Sequence, residues 1–76
     1  MQIRYTHHAH QRMQQRKVSA ELVRETLEAP DDVLAGDRDE LIAIRRYSLH
    51  EIHVVYAELE RNTVVVYTVI KVKIHS

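Results

Sequence analysis

The chain has 76 residues, no cysteine and one glycine, with eleven basic residues balanced by eleven acidic ones. Disulfides, thiolate metal sites, cysteine nucleophiles and glycine-rich phosphate loops are thereby excluded. One domain over residues 1–76 is expected. No apolar run approaches the roughly 20 residues of a membrane span and no signal-peptide core is present, which predicts a cytoplasmic protein.

Gln2 to Tyr5 alternates, with Ile3 and Tyr5 on one side, and reads as a short N-terminal strand. Thr6 is then the N-cap of a first helix ending near Arg16 and Lys17. Ser19 caps a second helix, with Glu21 in its first turn and Val18 placed to staple onto Val23. Leu22, Val23 and Leu27 form that helix's apolar face, and Pro30 stops it because Ala29 is pushed out of the α region. Asp32–Ala35, Leu41–Tyr47, Glu51–Leu59 and Thr63–Ile74 follow as strands separated by polar turns. In the last strand Val64, Val66, Thr68, Ile70, Val72 and Ile74 are expected to form one continuous core face. The predicted fold is α+β. Two short N-terminal helices pack on one face of an antiparallel sheet of three or four strands, with the N-terminal strand as an addition.

Charge is segregated along the chain. Residues 1–18 and 61–76 hold seven cations and no acid, while residues 19–60 sum to −7. Packing the first helix beside the last strand would gather a basic patch, unless the two sets neutralise each other across the fold.

The first helix carries the candidate chemistry. His8, Arg12 and Arg16 fall at roughly 0°, 40° and 80° around its axis, with Ala9 and Met13 next at roughly 100° and 140°. One imidazole and two guanidiniums thus border the buried face, where charge is costly unless paired or used. Arginine forks grip phosphate, and a neutral imidazole is a proton acceptor. Together these suffice for RNA cleavage without a metal or cofactor. The structural alternative is that both arginines bind acids such as Glu21, Glu25, Asp31 or Asp32 and lock the first helix onto the second. His7 and His10 have helical metal-ligand spacing, but no carboxylate of that helix joins them, so no metal is expected. Arg45, Tyr67, Lys71 and Lys73 are secondary RNA-binding candidates, since tyrosine rings with cations on an exposed sheet suit base stacking.

Thr6-x-His8-Ala9-x-x-Arg12-Met13-x-x-Arg16-x-Val18-Ser19-x-Glu21-x-Val23, then Ala29-Pro30, resembles the opening of a small prokaryotic family known only as a domain of unknown function. Val54-Val55-Tyr56 and Val66-Tyr67-Thr68-Val69 resemble its closing strands. That family looks related to the BrnT and RelE toxin superfamily. The resemblance implies two helices on an antiparallel sheet, RNA cleavage in active members, and a cognate antitoxin as partner. It also implies that His8, Arg12 and Arg16 belong to the family's characteristic set. The family often has glycine where this chain has Lys17. The expectation is a toxin-like, RNA-directed endoribonuclease or RNA-binding protein. A non-enzymatic interaction domain or structural homo-oligomer is the alternative.

Overall fold

The elements of a computed structural model, which describes residues 1–74, follow the order expected from the sequence. They are β1 (Gln2–Tyr5), α1 (His7–Arg16), α2 (Ala20–Glu28), β2 (Asp32–Ala35), β3 (Leu41–Arg46), β4 (His50–Glu60) and β5 (Thr63–Lys73).

Both helices start where a side-chain oxygen meets an orphan backbone donor. Thr6 Oγ1 accepts from the Ala9 N–H at 3.0 Å, and Ser19 Oγ accepts from the Leu22 N–H at 3.1 Å. α1 ends in a left-handed residue, Lys17, with φ 55°. The Lys17 N–H donates to the Gln14 carbonyl and the Val18 N–H to the Met13 carbonyl, which closes the helix and turns the chain into the core. Val18 and Val23, on either side of the Ser19 cap, are both buried in that core. α2 stops at Ala29, whose φ of −137° is non-helical, ahead of Pro30.

The sheet has five strands in the order β1-β5-β4-β3-β2. The wholly antiparallel sheet of three or four strands needs correction. β1 is a full member, and it pairs parallel to β5 with Ile3 opposite Val64 and Tyr5 opposite Val66. The two helices and the three strands between β1 and β5 give the chain room to return in the same direction, which a hairpin cannot do. β1 thereby covers the outer edge of the first four residues of β5 and adds Ile3 and Tyr5 to the core.

The last strand departs from its expected pattern too. Val55 pairs with Thr68 and Tyr56 with Val66, so Tyr67 is an extra residue without a β4 partner. Such a bulge reverses the alternation beyond it. Val64, Val66 and Val69 are buried, whereas Ile70 and Val72 are 37% and 42% exposed. The continuous even-numbered core face therefore ends at Val66. From there Val69, Lys71 and Lys73 lie on the helix side, and Thr68, Ile70 and Val72 on the other.

The core sits between the helices and one sheet face: Ala9, Val18 and Val23 against Ala43, Ile52, Val54, Tyr56, Val64, Val66 and Val69. α1 packs over β5, and α2 over β4 and β3. Within the described residues no element covers the opposite sheet face. No helix there is long and apolar enough to cross a membrane.

A candidate anion-binding ridge on the first helix

Because α1 lies over β5, its polar border runs alongside that strand's second half, beyond the end of β1. Thr6 begins the contact. Its hydroxyl donates to the Tyr67 carbonyl at 2.9 Å, and its backbone N–H donates to the Val66 carbonyl at 3.0 Å. The residue that caps the helix therefore also clasps the bulge.

The next turn holds His8 and Arg12. Arg12 Nε donates to His8 Nε2 at 3.4 Å, and Arg12 Nη1 donates to Gln15 Oε1 at 2.9 Å. His8 is exposed and Arg12 half-buried. One turn further, Arg16 is half-buried and donates from Nη1 to the Val69 carbonyl at 2.8 Å. Lys71 Nζ lies 3.4 Å from the Arg16 carbonyl, placing a cation at the C-terminal end of α1, where the helix dipole favours one.

The arrangement corrects the expected lock between the helices. Neither arginine takes an acid of α2 or β2. Of the acids on α2 and β2, Glu28 pairs with Arg24 and Asp32 with Arg46, which also takes Glu51 of β4. Among the described residues, no carboxylate lies within ion-pair distance of Arg12, Arg16 or Lys71. The guanidinium of Arg16 instead fixes α1 to the sheet. Only one of its nitrogens is used there, and an arginine carries five N–H donors.

A family model described as a domain of unknown function (DUF4258) matches residues 5–71, which span the ridge and nearly the whole chain. The chain belongs to the DUF4258 family. No curated protein and no solved structure matches it.

The secondary candidates of this DUF4258 domain do not gather at one place. Lys71 joins the ridge, and Lys73 follows two residues later, exposed on the helix side of β5. Arg45 is on β3, where Nη1 donates to the Ala29 carbonyl at 2.6 Å and the guanidinium lies over the Tyr47 ring. It serves the end of α2 and stands apart from α1. Tyr67 lies at the bulge, beside Ala57 and the Arg38–Glu40 turn, so only its backbone belongs to the ridge. His10 stacks near Tyr5, with ring centroids 5.2 Å apart. Among the described residues no three metal-ligating side chains converge.

Two contributors were not foreseen from the sequence. Gln15 holds Arg12, and its i, i+3 spacing was the available signal. The bond from Thr6 to Tyr67 spans 61 positions and has no local signature.

Proposed function

We propose that this DUF4258 domain is a toxin-like, RNA-directed protein of RelE/BrnT type that uses the α1 ridge to hold and cleave RNA without a metal. One observation carries the reading. Arg12, Arg16 and Lys71 gather along one border of α1 and, among the described residues, none of them has a carboxylate partner. Cations kept clear of acids along one helix border suit a phosphate backbone.

In this reading Arg12 turns from His8 to a phosphate oxygen, which frees the Nε2 lone pair. His8 then accepts the proton of the adjacent 2′-hydroxyl as that oxygen attacks phosphorus. The bond from phosphorus to the 5′-oxygen breaks, and the departing oxygen takes a proton from water. Arg12 and Arg16 balance the charge on the phosphorane. The products are a 2′,3′-cyclic phosphate and a 5′-hydroxyl end. The test is cleavage of single-stranded RNA in EDTA by wild type and His8→Ala. Loss of the base lowers the rate by about 10²–10⁴, while binding persists. A wild type that leaves RNA intact contradicts the cleavage step.

A second reading, a homo-oligomeric interaction domain, is favoured by the open sheet face. Strand pairing and alternation place Leu34, Ile42, Val55, Ile70 and Val72 there together, with Leu34 50% exposed. Apolar side chains left open in this number are unusual on a small monomer, although His53, Thr68 and the Asp32–Arg46–Glu51 ion pairs share the face. Its occupant in this reading is a second copy packed sheet to sheet. Sedimentation decides it: Ile70→Lys dissociates such a dimer, and a wild type that is monomeric at high concentration contradicts it.

A further inference from the structure

At the other end of β5, far along the strand from the ridge, a cavity of about 210 Å³ opens between the start of the chain, α2 and the β4–β5 turn. Its lining divides by chemistry. Met1, Leu27 and Val64 give an apolar wall, while Tyr56, Glu58, Glu60, Asn62 and Thr63 give a polar one.

Tyr56 and Thr63 are only 9% and 6% exposed, yet among the described residues neither hydroxyl has a hydrogen-bond partner. Arg45 Nε is the one side-chain polar atom there that is both unpartnered and shut off from solvent, so the Tyr56 hydroxyl has surface of its own, and Tyr56 lines this cavity. Burial, and secondarily Glu58, push its pKa up, so the hydroxyl stays neutral and offers its lone pairs. Neither Glu58 nor Glu60 has an ion-pair partner among the described residues. Arg24, which reaches this end of the fold, is taken by the Met1 carbonyl and Glu28.

We propose that the cavity binds a primary alkylammonium group, with its ammonium held by Glu58, Glu60 and the Tyr56 hydroxyl and its alkyl stem against Met1, Leu27 and Val64. An ammonium has three donors, matching two carboxylates and one phenol oxygen. Two carboxylates at one mouth reject anions, and the apolar wall selects a stem over a bare inorganic cation. At about 30 Å³ per water in the liquid, the volume equals roughly seven waters, enough for a four-carbon stem and its head. The proposal is independent of the RNA reading.

The probe is n-butylammonium chloride, titrated into the full chain and followed by amide chemical shifts, with n-butanol and sodium chloride as parallel arms. Saturable shifts at Leu27, Tyr56 and Val64 are expected with the ammonium alone. Glu58→Gln weakens binding about tenfold, in line with loss of a charged hydrogen bond. Tyr56→Phe weakens it several-fold and melts like wild type, because its hydroxyl holds no other part of the chain. Equal shifts in either parallel arm, no saturation, or an unchanged affinity in Glu58→Gln overturns the proposal.

Discussion

Arg16 of α1 donates a 2.8 Å hydrogen bond to the backbone carbonyl of Val69 in β5, across 53 positions of sequence. Arg12, one turn earlier on the same stripe, hydrogen-bonds among the described residues to its helical neighbours His8 and Gln15. The two arginines, equivalent by spacing, therefore differ in energetic role. Arg16→Ala removes a charged, partly buried hydrogen bond and leaves a carbonyl unpartnered, a loss of about 1.5–3 kcal/mol. Arg12→Ala stays within about 0.5 kcal/mol of wild type, as for other surface contacts. Urea melts of the two variants check this, and equal losses contradict it.

Lys17 closes α1 with φ 55°, a conformation that a side chain disfavours and glycine adopts freely. Lys17→Gly is expected to stabilise the chain by up to about 1 kcal/mol. A lower melting temperature for the variant contradicts the strain argument.

The bulge at Tyr67 predicts opposite outcomes at adjacent positions. Val69→Ala empties a fully buried site and costs about 2 kcal/mol or more. Ile70→Ala trims a residue on the open face and costs less than about 1 kcal/mol. Uninterrupted alternation from Val64 reverses that order, so denaturant melts of the pair test the bulge directly.

Glu51 predicts a pH dependence. Its carboxyl lies below the ordinary carboxylate value, chiefly through the hydrogen bond from His53 Nε2 at 2.8 Å; desolvation opposes the shift, and Arg46 reinforces it. Folding thus favours the ionised form. The resulting stabilisation is fully present above the ordinary carboxylate pKa of about 4.3 and is lost as pH falls through the lowered folded value. The melting difference between wild type and Glu51→Gln is expected to hold near neutrality and shrink below about pH 4. A difference constant down to strong acid contradicts it.

How far the sequence carried depended on how local each cause is. Thr6 and Ser19 act within three residues of themselves, and Pro30 acts on Ala29, so both helices and their ends were legible. β2 to β5 followed from alternation and turns. The parallel pairing of β1 with β5 was not legible, because Ile3 and Tyr5 state which face is buried but not which strand lies alongside. Nor was the bulge, since Val65, Tyr67 and Val69 alternate with Val66, Thr68 and Ile70, which puts apolar residues on both sides so that either phase fits. At the site, helical spacing placed His8, Arg12 and Arg16 on one border. It could not show that Arg16 ends on a carbonyl of β5, or that Arg45 serves the end of α2 instead of the ridge.

The central claim is that the α1 ridge holds a phosphate backbone, and the salt dependence of RNA affinity tests it most directly. Binding of a single-stranded RNA is measured across sodium chloride concentrations for wild type, Arg12→Ala and Lys71→Ala, each first confirmed folded by circular dichroism. Each phosphate contact contributes a slope of about −0.7 in log affinity against log salt. With Arg12, Arg16 and Lys71 engaged, wild type is expected near −2, and each substitution brings the slope about 0.7 closer to zero. A wild type that fails to bind at low salt, or a slope unchanged in both variants, contradicts it.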